Sequence, residues 1–207
     1  SKEQSALALA QKSIESWWDS YWGKPSQFEF IRHDHATALR AEVLLTYYCY
    51  VAEYVPDYFL SQKLFFKKLH QFLLELKAQL LDPGFYSEHT NHGLEQARVV
   101  LLLGGYFQDQ KAQEIAVGRI SSELEFSFTE EGVHKENSPG YHQFVLKVFL
   151  NIIARFPKEI LGDLATRFDE IGTKALSFLT DIIRPEGYLP IIGETESIRP
   201  RDGYKTY

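Results

Sequence analysis

Methionine is absent from all 207 residues, position 1 included, and cysteine occurs once. The first absence leads us to expect a portion excised from a longer gene product. The second excludes any disulfide within the chain, and Cys49, set in the apolar stretch Leu44–Val51, reads as a small buried hydrophobe rather than a reactive thiol. No signal peptide is visible. The longest apolar runs, such as Val99–Leu103, fall far short of the roughly 20 residues a bilayer span needs, so no membrane span is expected. There is no Lys/Arg cluster and the net charge is −6, which argues against a nucleic-acid partner while leaving room for a locally basic pocket that takes an anion. Nor is there a Walker loop, a Gly-x-Gly-x-x-Gly following a strand, or a Gly-x-Ser-x-Gly elbow. Phosphoryl transfer, dinucleotide redox chemistry and serine hydrolysis therefore lose their main support, and no cofactor is expected within this chain.

Strand periodicity is missing too. Apolar residues recur at helical spacing throughout, in a chain that is 44% hydrophobic and 24% charged, the balance of a globular domain. The fold class expected is all-α, with seven helices. The first spans Gln4–Trp22 and stops before Gly23-Lys24-Pro25. A second starts near His33–His35, with Asp34 as cap, and runs through Ala36–Tyr54 to Pro56; its apolar stripe is Leu39, Val43, Leu44, Tyr47 and Val51. The third, Ser61–Leu81, carries Leu64, Phe65, Leu69, Phe72, Leu73, Leu76 and Leu80 and ends at Asp82-Pro83-Gly84. The fourth is capped by Asn91 and runs to about Tyr106, the fifth covers Asp109 to about Phe128, the sixth Tyr141–Phe156 and the seventh Lys158–Ile183. Residues 184–207, punctuated by Pro and Gly, read as an irregular tail and a linker to something further. Helices of this length joined by short loops pack as antiparallel hairpins. The starts of helices two, four and six would then share one end.

Those starts hold most of the chemistry. Glu131–His142 packs His134, Glu136, Tyr141 and His142 into a turn-rich stretch whose Ser-Pro-Gly precedes an apolar helix. Tyr141 and His142 in a helix's first turn suit acid/base work, provided cationic neighbours, with His92, His134, His142 and Arg40 as candidates, lower the phenol from its usual range. The plainer alternative is a packed tyrosine hydrogen-bonded at a helix end. Asn91-His92 offers donors for a carboxylate, or a simple cap. His33, His35 and Arg40 suit an anion-binding rim, unless Arg40 pairs with Glu42 or Glu15. The short pairs His33-x-His35, Glu88-His89 and His134-x-Glu136 do not add up to a closed zinc set, so no metal is expected. Trp17, Trp18 and Trp22 are read as core in preference to a sugar-stacking platform.

Four pieces of the chain together resemble the heparinase II/III-like polysaccharide lyases. Gly132–His142 is similar to their Glu-x-Ser-Pro-x-Tyr-His signature, Asn91-His92-Gly93 to the upstream Asn-His segment, and His35–Arg40 to the His/Arg helix start before it. Gly187–Glu194 resembles the Asp-Gly-x-Leu-Pro-x-x-Gly-Asp segment, with Glu194 where Asp is frequent and Glu186 where Asp would precede the glycine. The resemblance implies an incomplete (α/α) toroid over residues 1–183, followed by an antiparallel β-sandwich absent from this chain. It also implies β-elimination on an acidic, uronic-acid-containing polysaccharide. Asn91 and His92 would neutralise the uronate carboxylate, and Tyr141 would donate the proton to the leaving oxygen and is a candidate for the base as well. Glu136, His142 and His134 would position or tune the tyrosine, while Arg40 and His35 would hold substrate. A bacterial, periplasmic or secreted setting follows by the same resemblance, with a cytoplasmic one as the alternative. A non-catalytic glycan-binding or surface-polysaccharide-assembly module of the same ancestry is the competing reading.

Overall fold

A computed structural model describes residues 2–22, 31–197 and 199–200. Among these the chain is all-α, and the only β-type pairing is an isolated bridge between Phe128 and His134. It divides into two compact units, residues 1–85 and 86–207.

Unit 1 contains α1 (Lys2–Tyr21), α2 (Asp34–Tyr54), the short α3 (Pro56–Ser61) and α4 (Lys63–Leu81). Pro56 ends α2 and occupies the first position of α3, where its missing N–H has no consequence. The third helix expected from periodicity is α4, which begins two residues later than expected, preceded by the unexpected short α3; Leu64 of the expected stripe is left 85% exposed. The stripe expected on α2 is also displaced. Leu39 and Val43 face outward, and the buried face is Thr37, Ala38, Ala41, Leu44, Leu45 and Val51. Two alanines on that face let the helix backbone come close to its neighbour, so size rather than hydrophobicity chose the contact side. Rings pack α4 against its neighbours: Phe66 stacks on Phe59 of α3 at 4.4 Å, and Trp18 of α1 sits against Phe65 at 5.4 Å.

Unit 2 contains α5 (Asn91–Tyr106), α6 (Gln110–Ser127), α7 (Pro139–Arg155), α8 (Lys158–Leu161) and α9 (Asp163–Asp181). Every residue of α5 from Gly93 to Leu101 is buried, which makes it the central helix, packed on α6 and α7. Gly104 permits the closest approach to α6, since a Cβ there would lie 3.1 Å from the backbone nitrogen of Gln113. The seventh expected helix breaks at Gly162, which adopts φ 55° and separates α8 from α9. Residues 184–197 are irregular, as expected, yet they are held firmly: Leu189 is fully buried and Thr195 nearly so.

Candidate functional site

The site lies within unit 2, where the first turns of α5 and α7 and the loop 128–138 meet around one small depression of about 20 Å³. Its lining includes His89, Asn91, His134, Lys135, Glu136 and Tyr141. Of the residues singled out in the sequence, Asn91, His134, Glu136 and Tyr141 are brought together there. His92, half-buried at the second position of α5, is not among the lining residues, and His142 is buried behind them. His35 and Arg40 belong to α2 in unit 1. The His35 backbone nitrogen donates to Asp34 Oδ1 at 2.7 Å, but neither residue caps α2, whose N-cap is His33.

Capping on α5 also differs from expectation. Thr90 is the N-cap and its hydroxyl accepts from the Gly93 nitrogen at 3.0 Å, which leaves the Asn91 side chain, at the first helical position, available to the depression. On α7 the Ser-Pro-Gly sequence opens the helix two residues before Tyr141. Ser138 caps it and Pro139 takes the first position.

The loop that presents Asn91 is folded around Glu123 of α6, a carboxylate only 1% exposed. Its Oε1 accepts from the Tyr86 hydroxyl at 2.5 Å and from the His89 nitrogen at 2.9 Å. Burial raises the Glu123 carboxyl above the usual range, against the opposing effect of these donors. Gly93 is required beside it, because a Cβ there would stand 2.2 Å from the Ser87 carbonyl oxygen and 2.9 Å from Glu123 Oε1. His89 is held at φ 60° with its ring stacked on Phe126 at 4.3 Å. The sequence reading missed Glu123, although a signal existed: it falls on the α6 stripe Ala112, Ala116, Ile120, Leu124 and Ser127, where a carboxylate must find internal donors.

Tyr141 is tuned in the direction opposite to the one expected. The charge of Glu194 acts on its phenol, with that of Glu136 adding to it. These negative charges, with partial burial, raise the phenol above its ordinary value, so it is fully protonated near neutral pH. Two of the groups expected to lower it, His134 and His142, are not cations near neutral pH. Burial and the neighbouring His142 hold His134 down to about 4, and burial lowers His142 as well. The two are wired into the scaffold: His142 Nδ1 accepts from the His134 nitrogen at 3.3 Å, and its Nε2 lies 2.9 Å from the Ala175 carbonyl, which requires the neutral Nε2–H tautomer. His134 Nδ1 is buried without a hydrogen-bond partner. Glu194 reaches Tyr141 because the next residue, Thr195, docks on the start of α7. Its hydroxyl accepts from the Gly140 nitrogen at 2.9 Å and lies 3.1 Å from Ser138 Oγ.

The unit thus sets an amide and a protonated phenol, a hydrogen-bond donor and a proton donor, in the first turns of two helices, with the Lys135 ammonium in the loop before the second. The chain belongs to the heparinase II/III N-terminus family, whose sequence model matches residues 50–207, well over half of its length. That match encloses Asn91, His92, Glu136, Tyr141 and Glu194 and begins after His35 and Arg40. Comparison with curated proteins and with solved structures found no match.

Proposed function

We propose that the chain is the helical catalytic portion of a polysaccharide lyase that cleaves a uronic-acid polymer by β-elimination. The observation that carries this reading is the Tyr141 phenol, set in the first turn of α7 in one depression with Asn91. β-Elimination removes the proton at C5, which becomes acidic only when the adjacent carboxylate is neutralised, and it must supply a proton to the oxygen leaving from C4. Asn91, helped by His92, is the carboxylate partner in this scheme. Tyr141 is the general acid, and its carboxylate neighbours hold the transferable proton on the phenol until the glycosidic oxygen takes it. Glu136 orients the tyrosine, His134 and His142 fix the loop that carries it, and His35 and Arg40 hold polymer. The family resemblance supports an incomplete (α/α) toroid with a β-sandwich supplying the opposite wall, and with it the base that would accept the C5 proton.

One observation favours the competing reading. A depression of about 20 Å³ is of the order of one or two water molecules and does not enclose a sugar ring, as suits a module that binds or assembles surface glycans without cutting them. The assay that separates the two incubates the protein with a panel of uronate polymers and follows the absorbance of the unsaturated product. Tyr141→Phe is expected to lower the rate by roughly 10²- to 10⁴-fold with polymer binding retained. A folded protein that yields no product on any uronate polymer overturns the lyase reading.

A further inference from the structure

The exposed residues of α2 are Leu39, Val43, Thr46, Tyr50, Glu53 and Tyr54. From Leu39 to Glu53 they are spaced four, three, four and three, the repeat of a coiled-coil seam, so they form one stripe along the outer side of the helix. Its large side chains are open to solvent: Leu39 is 41% exposed, Val43 66%, Tyr50 42% and Tyr54 65%. A helix of a globular unit ordinarily turns such a stripe inward. Here the inward face is the one that contains Ala38 and Ala41, and α2 packs with it on α3 and α4. The seam is left over. Its rings are also set in place, since Tyr50 donates its hydroxyl to Glu3 Oε1 at 2.9 Å and stands 5.3 Å from Tyr54 between centroids. Tyrosines fixed in this way lose little freedom when a partner covers them.

The stripe reads the same in both directions. About a point between Thr46 and Tyr47, Val43 and Tyr50 are equidistant, and so are Leu39 and Tyr54. Two copies of α2 lying antiparallel about that point would set the large Tyr50 against the smaller Val43 and Tyr54 against Leu39, twice each, with the short Thr46 at the axis. A two-fold interface must be complementary to itself, and this surface is. A parallel pair would oppose each residue to its own copy and so stack Glu53 on Glu53. The antiparallel pair holds those carboxylates about 20 Å apart, at a rise of 1.5 Å per residue, and brings each level with Arg40 of the other copy.

Area sets the strength. At roughly 200 Å² for side chains of this size, the exposures of Leu39, Val43, Tyr50 and Tyr54 leave about 430 Å² on each copy and about 850 Å² on a pair. That is above most fortuitous contacts, which stay under about 800 Å², and below the roughly 1,200 Å² at which stable complexes begin. A surface of this size suits a reversible dimer.

We propose that α2 is the interface of a reversible two-fold homodimer, in which two copies of the helix lie antiparallel with their seams in contact. This interface is independent of the lyase reading.

Sedimentation velocity of the full chain over about 10 µM to 1 mM should show a monomer–dimer equilibrium. Val43→Glu and Tyr54→Glu, both at exposed positions and checked for an unchanged fold by circular dichroism, should each weaken it by about tenfold or more. Cross-linking tests the geometry. With Cys49→Ser removing the single native thiol, Thr46→Cys should oxidise to a disulfide-linked dimer, because its two copies meet at the axis. Val43→Cys in the same background should not, its two copies lying about 10 Å apart along the helices, whereas a mixture of Val43→Cys and Tyr50→Cys chains should. A chain that stays monomeric at about 1 mM, dimerisation unaltered in both glutamate variants, or Val43→Cys linking to itself as readily as Thr46→Cys would overturn the proposal.

Discussion

The two units differ in what they bury. Unit 1 is packed almost entirely with rings and aliphatic side chains, and Thr37 is its sole buried polar residue among those described. Unit 2 buries Glu95, Gln96, Arg98, Glu123, Ser127, His134, Ser138, His142, Gln143 and Thr195. Buried polar groups cost stability unless paired, and these are used to fix loops: Glu123 holds residues 86–89, the His134–His142 pair holds the turn before α7, and Thr195 holds the tail. A proton-transfer site needs that kind of scaffold, because its side chains must be fixed to a fraction of an ångström. Unit 1 instead offers aromatic faces with cations laid over them, Arg40 on Trp17 and Lys68 on Trp18 at 4.4 Å, which suits binding by surface rather than chemistry.

The contrast can be broken in either unit. The largest effect on stability is expected from Phe66→Ala, which removes a ring 1% exposed that packs against Phe59, Phe65 and Tyr47. A loss of about 3–5 kcal/mol should appear in denaturant unfolding followed by tryptophan emission, with no dependence on pH. A loss that varied with pH would remove the distinction between the units.

Next is the acid sensitivity of unit 2. His134 has its folded pKa depressed to about 4 from 6.5, so the unfolded chain binds more protons between those values. Its contribution is fully present above pH 6.5 and is lost as pH falls through 4. A shift of this size corresponds to about 3 kcal/mol, and His142 acts in the same direction. Unfolding followed by circular dichroism should show the slope, and His134→Phe should flatten it. An unchanged acid slope in that variant would mean that His134 titrates freely.

The smallest effect sharpens the comparison at the tail. Thr195→Val removes the acceptor for the Gly140 nitrogen and the contact with Ser138, a loss of about 1–2 kcal/mol. Hydrogen exchange at Gly140 should rise and the tail should become easier to cleave near Gly193. Exchange as slow as in the parent would show that the hydroxyl does not dock the tail.

Much of the helix content was legible because apolar spacing and Pro/Gly punctuation act locally, as at Pro56 and Asp82-Pro83-Gly84. The short α3 after Pro56 and the interruption at Gly162 were not, since neither Pro56 nor Gly162 compels that arrangement on its own. Which face of α2 is buried also escaped the pattern, because Leu39 and Val43 are more apolar than the alanines that the neighbouring helix selected. In the site, Tyr141 and Asn91 stood out by residue type and by position before apolar runs. Glu123 did not, and neither did the docking of Thr195, because a hydroxyl or carboxylate becomes a structural partner only when donors from distant segments arrive beside it.

By itself the sequence determined an all-helical chain of this family, with a tyrosine and an asparagine placed at helix starts, since residue order and helical periodicity are enough to set those positions. The direction in which that phenol is tuned was decided only in three dimensions. The charges that act on the phenol are those of Glu136 and of Glu194, 53 positions further along the chain and brought back by a docked threonine, while burial keeps His134 from supplying the positive charge its residue type suggests. Electrostatic tuning depends on distance and desolvation, and both are properties of the folded arrangement.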